Sequence, residues 1–240
     1  MADPDFDISR LATYLHLTPA QVGRLADRGK LPGRKVGGAW RFSPAEIHHW
    51  LEQRIGLSDG EELAQMETVL GRNVPPDQPQ EISVAELLHP DAVAVPLAAR
   101  TRGKVITAMV QLAAGTGLLW DPEKMADAVR TREDMQSTAL DSGVALLHPR
   151  RPMPGILGQA LLAVGCTSQP IPFGGGRSGM TDVFFLICSV DDQGHLRALA
   201  RLSRLLSDGA LLDLIRQAES SANAFDLIVR HEQQLLGPQG

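Results

Sequence analysis

Between residues 8 and 54 the apolar positions first recur at helical spacing, then alternate, then return to helical spacing, which predicts three helices and a hairpin. Ile8 to Leu17 reads as the first helix. Thr18-Pro19-Ala20-Gln21 is a capping box with proline at the first helical position, and it opens a second helix that stops at Gly29. Val22, Leu25 and Ala26 face inward, while Gln21, Arg24 and Arg28 share another face. Arg34-Lys35-Val36 and Trp40-Arg41-Phe42 predict a hairpin whose loop is Gly37-Gly38-Ala39. That register sets Val36 opposite Trp40 and Lys35 opposite Arg41, an apolar underside and a basic top. Ser43-Pro44-Ala45-Glu46 is a second capping box, and Ile47, Trp50 and Leu51 carry the third helix back over the core. The pattern is a helix-turn-helix with a wing.

In residues 57–80, GEELAQMETVLGR reads as a short helix and NVPPDQPQ as a proline-rich linker, semi-rigid and exposed. Leu63, Met66 and Leu70 are too few for a coiled coil. Beyond the linker, short β-rich runs alternate with helical ones. Strands are expected at Ala92 to Val95, Val144 to Leu147, Gln169 to Pro172 and Val183 to Val190. Helices are expected at Gly103 to Ala114, Pro122 to Val129, Ile156 to Val164, Leu196 to Leu206, Ala210 to Ala218 and Ala224 to His231. This is a layered α/β domain with a mixed sheet, so the chain divides into residues 1–56, a linker 57–80 and a larger domain 81–240.

Composition changes this picture in two places. The chain of 240 residues carries a net charge of -5, yet residues 10–42 hold seven basic side chains against the single acid Asp27, which points to an anionic partner there. No apolar run reaches the roughly 18 residues that a membrane helix needs, and MADPDFDISR lacks the basic and apolar regions of a signal peptide, so a cytoplasmic protein is expected. Cys166 and Cys188 stand in no metal-ligand spacing and read as small buried apolar residues.

The candidate chemistry centres on TREDMQSTALDSGVALLHPR, where Arg132 and His148 stand sixteen residues apart and a five-residue apolar run ends on the histidine. Neutral imidazole is a good nitrogen nucleophile near pH 7, and a guanidinium beside it can hold a phosphoryl group by paired, charge-assisted hydrogen bonds. A histidine at the mouth of a strand has a rigid support while its ring reaches solvent. His195 opens the helix expected over Leu196 to Leu206, and from the residues alone it reads as a helix-start residue without chemistry. Other motifs fail in context. Gly174, Gly176 and Gly179 fit G-x-G-x-x-G, but a strand rather than a helix follows, so the segment is a flexible loop. His48-His49 lack a spaced carboxylate or cysteine set, and neither a metal nor a cofactor is expected.

Two resemblances rest on these residues. EISVAELLHPDAVAV, Arg132-Glu133, Ser137-Thr138, the strand Gly143 to Leu147 ending on His148, and HLRALARLSRLL from His195 together resemble the enzyme IIA domain of the bacterial phosphotransferase system, of the fructose/mannitol and nitrogen-regulatory type. The resemblance covers residues 81–240 and implies that His148 carries the phosphoryl group, with Arg132 and His195 beside it and Thr138 donating a hydrogen bond or shaping the turn. The family commonly has proline before the histidine; here Leu147 precedes it and Pro149 follows, biasing His148 toward extended backbone. Residues 6–54 resemble the winged helix-turn-helix of excisionase-like and MerR-like DNA-binding domains. That implies base or phosphate contacts from Gln21, Arg24 and Arg28 and mostly phosphate contacts from Lys35 and Arg41, with sequence-specific binding requiring a dimer.

The sequence thus points to a cytoplasmic, phosphorylation-responsive DNA-binding regulator whose partners are DNA and an HPr-like phosphocarrier protein. Two alternatives stay open: a phosphocarrier without DNA binding, and a DNA-binding protein whose IIA-like domain is a catalytically silent interaction module.

Overall fold

The computed structural model describes residues 5–15, 17–55, 60–71, 82–174, 179–207 and 209–236. The proline-rich segment 72–80, Gly176 of the glycine loop and His16 lie outside them. The chain divides into two compact units, residues 1–81 and 82–240.

In the first unit α1 spans Ile8–Leu15 and α2 spans Pro19–Asp27. The capping box forms as expected: the Gln21 amide donates to the Thr18 hydroxyl at 3.3 Å, and the Thr18 amide donates to the Gln21 side chain at 2.7 Å. Strands β1 (Arg34–Val36) and β2 (Ala39–Arg41) form the wing, and α3 (Pro44–Ile55) starts where the Ser43 carbonyl accepts from the Glu46 and Ile47 amides. Leu11, Val22, Ala26, Leu31, Phe42, Ile47 and Leu51 are buried. Phe6 pairs with Phe42 through two backbone hydrogen bonds and closes the base of the wing. The helix expected after residue 57 is α4, Gly60–Gly71.

The wing register differs from the expected one. Arg34 pairs with Arg41, Lys35 with Trp40 and Val36 with Ala39, so the loop has two residues rather than three. Gly37 and Gly38 both take positive φ, 59° and 81°, as a type I′ turn requires, and that turn matches the right-handed twist of its strands. The shift removes the apolar underside: Val36 is 53% exposed, and Lys35 lies over the Trp40 ring at 5.0 Å.

The second unit begins with the short α5 (Val84–Leu87) and edge strand β3 (Leu88–Ala94), then α6 (Arg102–Gly115) and α7 (Pro122–Met135). Next come β4 (Val144–Leu147), β5 (Leu161–Pro172), β6 (Met180–Cys188), α8 (Asp192–Leu205), α9 (Ala210–Arg216) and α10 (Ser221–Leu236). The sheet order is β3-β5-β6-β4, with β5 antiparallel to β6 and both outer pairs parallel. The mixed sheet is the one expected. The helix expected at Ile156 to Val164 is instead a short 3-10 turn, Pro154–Ile156, followed by the start of β5. Seven consecutive residues from Leu161 are buried because β5 is central and covered on both faces, so it shows no alternation that would mark it as a strand.

Ala145, Leu147, Ala163, Phe184 and Leu186 meet Val105, Ile106 and Met109 of α6 and Met125 and Val129 of α7 in one core. Their strand neighbours Val144, Leu146, Leu162, Val164, Phe185 and Ile187 are buried as well, and α8, α9 and α10 pack on the sheet, so the unit has three layers. The parallel pairing of β4 with β6 brings Leu147 beside Leu186, and both strands therefore finish at the same end of the sheet.

Candidate functional site

His148 is the residue immediately after β4, and His195 lies in the first turn of α8, just beyond the end of β6. Two adjacent strand ends thus deliver two imidazoles to one place, with ring centroids 5.0 Å apart and an interplanar angle of 51°. The His148 Nδ1 lies 2.8 Å from the Leu146 carbonyl oxygen. A carbonyl only accepts, so Nδ1 carries the hydrogen and, in the neutral ring, Nε2 holds the lone pair. The His195 Nδ1 has a different partner, the Ser189 hydroxyl at 3.2 Å. The Asp191 side chain caps α8 by accepting from the Gly194 amide at 2.7 Å, and the His195 amide donates to the Asp191 carbonyl.

Arg132 sits in the last turn of α7, and its Nη1 donates to the Gln136 carbonyl at 2.9 Å. Residues 138–140 pair antiparallel with 144–146 through the Ala139–Ala145 bridge and the Leu146 amide, which donates to the Thr138 carbonyl. The arginine's anchor, Gln136, thus lies two residues before the segment that pairs with β4. Thr138 is committed elsewhere, because its hydroxyl and amide both donate to the buried Glu133 carboxylate. It shapes the turn into β4. Arg216 braces the same turn from below, with paired bonds to Asp182 at 2.9 and 3.0 Å and a bond to the Ser142 carbonyl at 2.7 Å. The hydrogen bond to Asp182 pushes the Arg216 guanidinium above its ordinary range.

The expectation that the His148 ring reaches solvent is not met: His148 and His195 are each 2% exposed and Arg132 is 5% exposed. The ring turns back along its own strand to reach the carbonyl two residues earlier. Sequence reasoning also missed Ser189 and the Leu146 carbonyl. A lone serine at the end of VFFLICS carries no pattern, and a backbone acceptor is not encoded by any side chain.

In the first unit, Gln21, Arg24 and Arg28 are exposed along α2 and at its C-cap. The Gln21 side-chain oxygen is taken by the capping box, so its part in any contact falls to the amide nitrogen. Arg24 and Arg28 make no ion pair among the described residues. Lys35 is 3.8 Å from Asp27, and Arg41 is half-buried with Nη1 on the Trp40 carbonyl at 3.2 Å. The wing cations are therefore more engaged within the protein than those of the helix.

Comparison with known proteins finds a different family model within each unit. The family model described as phosphoenolpyruvate-dependent sugar phosphotransferase system, EIIA 2, matches residues 86–231, and a helix-turn-helix domain model matches residues 6–55. The chain belongs to the EIIA 2 family of the phosphotransferase system and carries a helix-turn-helix domain ahead of its EIIA domain. The PTS system fructose-specific EIIABC component of Bacillus subtilis (strain 168) is 25% identical over 153 residues, which is 63% of this chain and 24% of that protein. The nitrogen regulatory protein of Escherichia coli (strain K12) is 28% identical over 116 residues, 46% of this chain and 68% of that protein. Among solved structures, nitrogen regulatory protein IIA-Ntr from Neisseria meningitidis superposes with a TM-score of 0.52 at 18% identity, over 60% of this chain and 98% of that one, a likeness of fold. Among the described residues no helix is long and apolar enough to cross a membrane.

Proposed function

We propose that the protein is a phosphorylation-responsive, DNA-binding regulator of the cytoplasm whose EIIA domain accepts a phosphoryl group on Nε2 of His148 from an HPr-like carrier. The observation that carries this reading is the 2.8 Å bond from His148 Nδ1 to the Leu146 carbonyl, with a second imidazole 5.0 Å away. Transfer is an in-line displacement in which the His148 Nε2 lone pair forms a new bond to phosphorus. The nitrogen–phosphorus bond of the carrier breaks, and its electron pair stays on the carrier's imidazole. The His148 ring becomes cationic as the bond forms, and the Leu146 carbonyl dipole, still accepting from Nδ1, stabilises that charge. Arg132, held by the Gln136 carbonyl, supplies positive charge against the equatorial oxygens. Thr138 acts at one remove, by fixing Glu133 and the turn. Because the ring is 2% exposed, the carrier meets it only in a state that uncovers Nε2.

In the first unit Arg24 and Arg28, with the Gln21 amide, are the base and phosphate contacts in the major groove, and Lys35 and Arg41 meet phosphates from the wing. One module of this size makes few contacts, so sequence-specific binding uses a dimer. Phosphorylation adds about -1.5 to -2 charges at neutral pH, enough to alter how an acidic domain tolerates nearby DNA.

Incubation of the full chain with phosphoenolpyruvate, enzyme I and an HPr-like carrier labels the wild type and not His148→Ala. The burial of both rings favours one second reading, a silent interaction module, and absence of label on both proteins would support it in place of the acceptor.

A further inference from the structure

Resting on the DNA-binding reading above, we propose that Asp27 is a positioning residue of the first unit: it fastens the wing to the end of α2, and its charge weakens sequence-independent binding to DNA. Asp27 closes α2, its side chain is 63% exposed, and it is the one acid beside the seven bases of residues 10–42. A carboxylate there faces the negative end of the helix dipole and stands among groups that meet phosphate in that reading, so both effects count against it. What it does in return is visible in its contacts. Trp40 Nε1 donates to Asp27 Oδ1 at 3.2 Å, and Lys35 Nζ lies 3.8 Å from the same oxygen and 5.0 Å over the Trp40 ring. An indole N–H and an ammonium only donate and an ionised carboxylate only accepts, so the direction of these contacts is fixed.

Lys35 and Trp40 face each other across the hairpin, so one carboxylate takes hold of both strands. The base of the wing is pinned separately, by the backbone pairing of Phe6 with Phe42, and Asp27 grips it two residues nearer the tip. At 3.6 residues per turn Asp27 stands about 60° around α2 from Arg24 and about 100° from Arg28, which puts it beside the contact face rather than in it. The spacing between bases read by α2 and phosphates met by the wing therefore passes through this residue. That spacing suits one arrangement of groove and backbone. DNA of arbitrary sequence offers phosphate charge and little else, and a phosphate that draws on Lys35 has to share it with Asp27. The carboxylate thus weakens binding to every duplex and sharpens discrimination in favour of a matched one.

The test uses the full chain with nitrogen-15 at tryptophan, the Trp40 indole signal assigned by its disappearance in Trp40→Phe, and two substitutions. Asp27→Asn keeps an oxygen for the Trp40 indole and removes the charge; Asp27→Ala removes both. The DNA probes are a random-sequence duplex and the duplex that the wild type enriches from a random pool. Both variants bind the random duplex about three- to tenfold more tightly than the wild type, with a salt slope steeper by about 1 as Lys35 is released. Only Asp27→Ala shifts the Trp40 indole signal toward that of a water-exposed indole, and only it lowers the ratio of enriched to random affinity, by about tenfold; Asp27→Asn keeps the wild-type ratio. Random-duplex affinity unchanged in both variants overturns the proposal, and so does an equal ratio in the two variants. If the wild type binds neither duplex, the DNA-binding reading fails, and the indole signal still decides the clamp: no difference between wild type and Asp27→Ala overturns it.

Discussion

A group that accepts and never donates settles which nitrogen of a neighbouring imidazole keeps its lone pair, and by that rule the Leu146 carbonyl leaves the lone pair of neutral His148 on Nε2, the atom that the proposed transfer uses. The same residue-by-residue chemistry makes the two cysteines inert. Burial pushes the Cys188 thiol up to about 12. Burial, with help from Asp182 and against Arg216, pushes Cys166 up to about 11. Both values lie above the ordinary one near 9.0, so the folded state favours the thiol. The resulting stability is complete below that ordinary value and is lost as pH rises through the window from there to about 11 and 12. Urea midpoints are therefore expected to fall as pH rises above 9.0, and Cys188→Ala should flatten that fall. An unchanged slope would mean that the thiol is not the titrating group. Iodoacetamide at pH 8 should likewise alkylate both cysteines only after denaturant is added.

At the scale of elements, Glu232 ties α10 to α5 and α8. Its carboxylate, 1% exposed, accepts from the Ser83 hydroxyl and from the Val84 and Ala85 amides at 2.7 Å each, with Arg201 Nε 3.8 Å away. Glu232→Ala leaves Arg201, the buried Val84 amide and the half-buried Ala85 amide without that acceptor, and a loss of about 3 to 5 kcal/mol in urea unfolding is expected. A second test lies where β5 passes α6: a Cβ on Gly165 would stand 2.7 Å from Met109 Sδ and 2.8 Å from Leu97 Cδ2. Both are ends of flexible side chains, so Gly165→Ala should cost about 1 to 3 kcal/mol rather than block folding. These elements also show where sequence is legible. β4 and α2 could be read closely, because one ends on a polar residue and the other carries a capping box. β5 could not be read in full, since LLAVGC is buried on both faces and has no period to separate strand from helix. The wing register turned on whether Ala39 is loop or strand, and the two positive-φ glycines decide it for the strand.

For the whole molecule, the pairing of His148 with His195 was an expectation of the family resemblance and not of periodicity, and their different Nδ1 partners were not legible at all, since hydrogen bonds between residues six apart and two apart leave no mark on periodicity. The front unit makes its own prediction. Removing the α2 arginines by Arg24→Ala and Arg28→Ala should weaken DNA binding and lower the slope of log affinity against log salt by about 1 for each phosphate that is no longer neutralised. An unchanged slope in a mobility-shift titration would take those arginines out of the interface. The central claim, that His148 Nε2 receives the phosphoryl group, is tested most directly by phosphorus–proton and nitrogen correlation spectra of the full chain after incubation with a phosphorylated HPr-like carrier. The account predicts one phosphohistidine, bonded through Nε2 of residue 148, with Nδ1 still protonated. A phosphoryl group on Nδ1 of His148, on His195, or on no histidine at all would contradict it.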